Sequence, residues 1–453
     1  MINIDTQTKS ETRLIASQRL IASQRLIASQ PTVQTYARYK DSGVEWLGEI
    51  PEHWEMKRFK FLAEANKGKL PNKIVSINDG NLPPYMSMEY LRGGEENQWV
   101  KDGDALIIDK DEILLLWDGS NSGEFLKSRK GVISSTVAHI IFKDIHKNFA
   151  WYHSKVLEIE LRKNTIGMGI PHVNGRILNN SIVAIPPLPE QTAIANFLDD
   201  KTQKIDQAIG IKEQQIALLK ERKQILIHKA VTGQLIMENG KWIMTPKEKM
   251  KDSGVEWIGE IPEHWEVKRL KFISKLISEK ASSKESFLPY IGMENIESWT
   301  GKHTVSDSET EGLASYFDKG DILFGKLRPY LAKVYLAEKE GICSTEFLVY
   351  RAGKQIHNFY LNLMMLSFEF INLIDSSTYG SKMPRANSDF IGNQLIPTPP
   401  LSEQKEISSY IESASQKIDT AISLKTQEIE KLKEYKSSLI NSVVTGKVKI
   451  IEN

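Results

Sequence analysis

Residues 40–61 read KDSGVEWLGEIPEHWEMKRFKF, and residues 251–272 read KDSGVEWIGEIPEHWEVKRLKF. Nineteen of the 22 positions are identical at an offset of 211, and the other three exchange one apolar side chain for another. A second pair lies downstream: residues 187–233 open with PLPEQ and end with VTG, and residues 400–446 open with PLSEQ and end with VTG, at an offset of 213. Between the pairs, similarity thins to islands. Gly167, Pro171 and Asn174 match Gly380, Pro384 and Asn387, and Gly131 with Ser135 roughly matches Gly341 with Thr345. Residues 70–160 and 281–370 share little else. The chain is therefore two copies of one plan: a shared opening segment, a divergent globular part and a shared helix.

The helix is legible from its seam. Ile205, Ile209, Lys212, Ile216, Leu219, Lys223, Leu226 and Ala230 recur in alternating steps of four and three, and Ile418, Ile422, Lys425, Ile429, Leu432, Lys436, Leu439 and Val443 repeat the pattern. Such a heptad seam predicts a coiled coil. A lysine interrupts both seams at the same two places, which costs stability but sets register. Prolines at 186, 187 and 189, and at 397, 399 and 400, suit a helix start. Gly233 and Gly446 suit left-handed helix ends. Some forty residues at 1.5 Å each make rods about 60 Å long. Only a short stretch separates Gly233 from the second KDSGVEW, so the second helix must run back along the first.

The expected fold is α+β: two mixed α/β domains at opposite ends of a long antiparallel coiled coil, related by an internal pseudo-two-fold. The expected boundaries are an N-terminal extension over 1–37, domains over 38–186 and 235–398, and helical spacers over 187–234 and 399–453. In the extension, RLIASQ occurs three times from Arg13 to Gln30. A six-residue period spreads its Leu-Ile pairs over three helix faces, so it makes no stable stripe. It reads as a loose duplication outside the two-copy plan.

Composition bounds the rest. The 453 residues are 40% apolar and 26% charged, which fits two to four folded domains and excludes bulk disorder. The net charge of +1 excludes a histone-like binder but allows local basic patches. One cysteine, Cys343, excludes an internal disulfide and a multi-cysteine metal site. No run reaches membrane-span length, and the N-terminus lacks a secretory core, so a cytoplasmic protein is expected.

Catalytic signals fail on inspection. Asn81-Leu82-Pro83-Pro84-Tyr85 carries a leucine inside what would be an amino-methyltransferase motif, and Gly167-Met168-Gly169 is a lone GxG. There is no GxxxxGK[ST] loop. Pro51-Glu52 with Glu55-Met56-Lys57 superficially suggests a PD-ExK nuclease, but the group recurs in the second copy and reads as a structural turn bearing buried Trp46 and Trp54, repeated as Trp257 and Trp265. His53 and His264 read as structural histidines, since neither has metal-site spacing.

What remains is a set of polar loops in the divergent parts. The first copy offers Trp117, Ser120, Asn121, Lys127, Arg129, His172, Asn174 and Arg176; the second offers Lys326, Arg328, Tyr330, Lys333, Lys382, Arg385 and Asn387. Arg, Lys and Asn read base edges through paired hydrogen bonds, and serines or backbone N–H groups position phosphates. Equivalent loops with different chemistry fit two readers of different DNA sequences.

The paired KDSGVEW[LI]GEIPEHWE segments, the PL[PS]EQ-to-VTG helices and the LLLWDGSNSG and GKLRPYLAK stretches resemble the specificity subunit of Type I restriction–modification enzymes, over residues 38–448. The resemblance implies two target-recognition domains on double-stranded DNA, binding a bipartite target. It implies two methyltransferase subunits and restriction/translocase subunits as partners, and no membrane. No cofactor belongs to this chain; S-adenosylmethionine, ATP and Mg would serve the partners. Two other classes stay open on residues alone: a bipartite DNA-binding regulator without enzyme partners, and a self-contained restriction enzyme, which the missing motifs disfavour.

Overall fold

The computed structural model describes residues 34–450 except 79, 104, 283–286, 306–311, 379 and 381. The RLIASQ repeats lie outside the described residues. The chain divides into two compact units, a first comprising residues 34–211 with 428–450 and a second comprising 212–427. Two 44-residue helices, Leu188–Val231 and Leu401–Val444, each contribute to both units.

The first unit is built on an antiparallel four-stranded sheet in the order Ala63–Lys67, Val137–Phe142, Ile113–Leu116, Phe125–Lys127. Helix Lys147–Lys163 covers it, and Leu157 and Leu161 join Phe59, Ile113, Leu115, Phe125 and Ile140 in the core. The run Ile113–Leu116 is buried at all four residues, which is why it reads as continuous rather than alternating hydrophobicity. The second unit repeats the strand order with Ser274–Ile277, Phe347–Ala352, Ile322–Gly325 and Val334–Leu336. It adds a second four-stranded sheet and replaces the single covering helix with Asn358–Met365 and Phe368–Ser376. Here lies the divergence of 281–370 from 70–160.

The repeated sequence forms the hub of each unit. In the first, Glu190 of PLPEQ accepts a hydrogen bond from Trp54 Nε1 at 3.2 Å and meets His53 Nε2 at 2.9 Å. In the second, Glu403 of PLSEQ does the same to Trp265 at 2.9 Å and His264 at 2.8 Å. The adjoining glutamines tie the covering helices: Gln191 accepts from the His146 N–H at 2.9 Å and Gln404 from the His357 N–H at 2.7 Å. His53 and His264 are thus satisfied structural groups. Trp54 and Trp265 are completely buried, whereas Trp46 and Trp257, expected to be buried, are only partly so and pack at the margin of the same cores.

The glycines that end the helices meet these hubs. Gly446, at φ +73°, lies against Pro51 and Trp54; a Cβ there would sit 2.3 Å from Pro51 Cδ. Gly233, at φ +72°, lies likewise against Pro262 and Trp265, its Cβ 2.2 Å from Pro262 Cδ. Each unit is therefore closed by the end of the helix that belongs to the other copy in sequence. In the first unit, residues 447–449 continue the closure: Lys447 Nζ donates to the carbonyls of Leu47 and Glu49, and the Lys449 N–H donates to Gln34 at 2.9 Å.

Helix pairing is antiparallel within each unit. Ile194, Ala195 and Leu198 share a core with Ile440, Val443 and Val444 in the first, where Lys436 also bonds Asp206 at 2.7 Å. In the second, Ile227 packs with Ile407 and Ile411, Lys223 bonds Asp419 at 3.0 Å and Lys425 bonds Gln215. The Lys223–Asp419 and Lys436–Asp206 pairs are the same contact displaced by 213 residues, so the second lysine of each seam is paired across the helices. No helix among the described residues is long and apolar enough to cross a membrane.

Candidate nucleic-acid interface

In the first unit, strand Ile113–Leu116 runs out into the turn Trp117–Gly123. The Trp117 N–H donates to Thr136 at 2.8 Å, the Val173 N–H donates to Trp117 at 2.8 Å, and the Gly119 N–H donates to Pro171 at 2.9 Å. The turn closes with the Ser122 N–H on Gly119 at 2.9 Å. In the second unit, strand Ile322–Gly325 runs out into Lys326–Ala332 by the same four steps. The Lys326 N–H donates to Glu346, Ala386 to Lys326, Arg328 to Pro384 and Leu331 to Arg328, all at 2.8–2.9 Å.

This matching backbone pairs Trp117 with Lys326, Gly119 with Arg328, Thr136 with Glu346 and His172 with Arg385. Both turns need left-handed backbone at the same two places: Gly119 and Gly123 in the first (φ +105° and +91°), Arg328 and Ala332 in the second (φ +51° and +47°). The scaffold is shared and the side chains are not.

In each crossing basic side chains are tethered to a carboxylate, two in the first and one in the second. His172 Nδ1 lies 2.6 Å from Asp118 Oδ1, and Lys67 Nζ lies 3.1 Å from Asp118 Oδ2 and 5.4 Å from the Trp117 ring. Partial burial pushes the Asp118 carboxyl up, but hydrogen bonds from His172 and Lys67 together outweigh it and hold it below the usual carboxylate range. In the second unit, Arg385 forms a two-bond fork with Glu346, Nε to Oε2 at 3.1 Å and Nη2 to Oε1 at 3.0 Å. A planar fork of this kind fixes where the remaining guanidinium donors point.

The other residues expected from sequence divide by duty. Ser120, Asn121 and Arg176 are exposed beside this crossing in the first unit, and Tyr330 and Lys382 are exposed in the second. Asn174 and Asn387 are helix N-caps, each side-chain oxygen accepting from two backbone N–H groups. Arg129 is drawn inward: its guanidinium stacks 3.9 Å from the Tyr90 ring and donates to the Gly94 carbonyl at 2.6 Å. Lys333 donates to the Met293 carbonyl at 2.6 Å, so its ammonium is likewise engaged inside the fold. Lys127 lies on strand Phe125–Lys127, its ammonium 5.3 Å from the Trp151 ring, away from the crossing. Sequence reading missed Lys67, Asp118, Thr136 and Glu346. The matching Pro171/Pro384 and Asn174/Asn387 islands marked one side of the crossing; the facing turn shares no sequence between copies.

A family model described as the Type I restriction modification DNA specificity domain matches residues 51–221 and again 262–434. The chain belongs to this family. The MjaVIII specificity subunit of a Type I restriction enzyme from Methanocaldococcus jannaschii is 31% identical over 422 residues, covering 88% of this chain and 94% of that one. The EcoDI specificity subunit of Escherichia coli is 25% identical, covering 88% and 90%. A chain from a solved structure described as the basis of complex assembly and conformational transition of the type I R-M system superposes with a TM-score of 0.60 at 14% identity, covering 87% of this chain and 98% of that one. That likeness is one of fold. The two family matches fall on the two copies of the plan, so the family's DNA specificity domain is present twice, and the α+β architecture with two long helices is that of the family.

Proposed function

We propose that this chain is the target-reading subunit of a Type I restriction–modification complex, that it recognises a bipartite, asymmetric DNA sequence, and that it performs no chemistry itself. The observation that carries the reading is the pair of crossings: one backbone, held by the same four hydrogen bonds, presents Trp117, Gly119 and His172 in one unit and Lys326, Arg328 and Arg385 in the other. Arg and Lys pair with guanine N7 and O6, while a histidine beside an indole offers a different pattern. Two unlike readers imply two unlike half-sites. Methyl transfer from S-adenosylmethionine and ATP- and Mg-dependent translocation and cleavage then belong to the partners, two methyltransferase subunits and the restriction subunits.

The test is to purify the chain alone and with co-expressed methyltransferase subunits, and to read methylated motifs genome-wide. Methylation by the assembly at a split motif with unlike halves, and none by the isolated chain, is the expected result. A palindromic or continuous motif, or methyl transfer by the chain alone, overturns it.

A further inference from the structure

The loop Ile166–Ile170 is a part of the first crossing that none of the four shared hydrogen bonds uses. Its root is locked. Ile166 and His172 exchange both backbone hydrogen bonds, at 3.0 and 2.7 Å, and Gly167 packs so closely that a Cβ there would sit 2.5 Å from the Ile170 carbonyl and 2.8 Å from the His172 ring. Its tip is open: nothing lies within 4 Å of the space a Cβ would take at Gly169. At this tip Met168 is fully exposed, and Ile166 and Ile170 expose 53% and 62% of their surface. Three large apolar side chains held in water by a rigid stem carry a hydrophobic cost that a bound partner would remove.

We infer that this loop is an apolar wedge, with Met168 and Ile170 entering the base stack of the half-site read by the first unit. The partner is duplex DNA because of where the stem is rooted and what surrounds it. The Pro171 carbonyl and the His172 backbone that anchor the loop are the atoms that bond Gly119 and Ile166, so the tip projects from the reading crossing itself. From Leu161 to Pro189 the chain holds no acidic residue and three Lys or Arg, of which Lys163 and Arg176 are exposed on either side of the loop. A phosphate backbone meets those cations while the apolar tip reaches past it. Met, Ile, Leu and Phe are the residues that proteins insert between base steps, kinking or unstacking them. Every base step has an apolar interior, but steps differ in how easily they open, so a wedge reads sequence through deformability. At the equivalent positions the second copy carries Ser381 for Met168 and Lys382 for Gly169 and keeps an exposed apolar residue, Met383, only in place of Ile170, so the paired wedge belongs to the first unit.

The inference rests on the reading under Proposed function, and one experiment separates the two. The chain assembled with its methyltransferase subunits is bound, without S-adenosylmethionine, to duplexes carrying its own motif with single 2-aminopurines scanned across both half-sites, away from the methylated base. The expected result is a several-fold rise in fluorescence at one step of one half-site. Met168→Ser abolishes that rise and weakens binding about tenfold with an unchanged salt dependence, because no phosphate contact is lost. Met168→Leu, which keeps the apolar volume, retains both. No responsive step with the wild-type assembly, or full signal and affinity in Met168→Ser, overturns the wedge. So does a Met168→Ser chain that no longer assembles, since the tip is then a protein contact. If the wild-type assembly shows no sequence preference, the reading under Proposed function fails and takes this inference with it; if preference persists without a responsive step, only the wedge falls.

Discussion

Arg328 holds left-handed backbone where the equivalent residue of the first unit is Gly119. A side chain in that region costs roughly 1–2 kcal/mol relative to glycine. The second unit carries this cost in a turn that the first builds with glycine, and on the function proposed above base reading by the guanidinium is the offset. Arg328→Gly is accordingly expected to raise stability by about 1 kcal/mol, seen as a higher melting temperature, while relaxing one base position in one half-site. A uniform loss of affinity with every base position still specified would instead make Arg328 a phosphate contact. At Gly446 the same geometry has the opposite consequence. Alanine there combines the strained φ with a Cβ 2.3 Å from Pro51, and destabilisation of about 2–3 kcal/mol is expected by thermal or denaturant unfolding. The VTG ending was legible in sequence as a helix stop, but its second duty, as the surface on which Pro51 and Trp54 close, was not. That contact joins residues almost four hundred positions apart, and no local pattern encodes it.

At the scale of elements, the helices were the most legible feature, because a heptad seam is a one-dimensional signal. Ile205, Ala230 and Val443 are buried and the intervening seam positions are covered, as the spacing requires. The seam lysines were read as register marks, and the structure supplies their partners. Asp419 bonds Lys223 at 3.0 Å and Lys302 at 2.9 Å, linking both helices and a loop of the same unit. Partial burial pushes its carboxyl up, yet the hydrogen bonds from Lys302 and Lys223 outweigh that and lower it below its ordinary value of 3.8. A depressed carboxyl contributes stability that is complete above the unfolded value and disappears as pH falls through the folded one. Asp419→Asn is therefore expected to cost about 1–2 kcal/mol at neutral pH, discounted for the aspartate's 23% exposure, with the deficit starting to shrink only below 3.8 and closing as pH falls through the lowered folded value. A deficit that persists unchanged into acid would assign the loss to packing rather than charge. The sheets were far less legible. Short strands such as Ile74–Val75 and Tyr290–Ile291 carry two residues each, too few for an alternation to register. The two turns of the crossings were legible as polar loops, but inward-turned Arg129 and Lys333 are of the same residue types as outward ones. Only the fold decides which way a loop cation points.

On the function proposed above, the unbroken helix from Leu188 to Val231 is expected to make the spacing of the target depend on its length. Four residues inserted after Lys220 add about 6 Å of helix and rotate its remaining turns by about 40°. At ~3.4 Å per base pair this lengthens the unread spacer by one or two base pairs while leaving both half-sites as they were. The methylated motif of the insertion variant, read genome-wide, checks it; an active variant with the original spacer would free the helices of this role.

The closure of the first unit by residues 428–450 also fixes an order of events in synthesis. Translation delivers Trp54, Ile194 and Leu198 early, but Ile440, Val443 and Val444, which complete their cluster, emerge only after the whole second unit has been made. The second unit is contiguous in sequence and can mature as it leaves the ribosome. The first must wait with an apolar face open, so for most of the chain's birth it is the unit in need of a chaperone, and a ribosome that stalls in the last helix leaves the first unit unfinished after the second has been made.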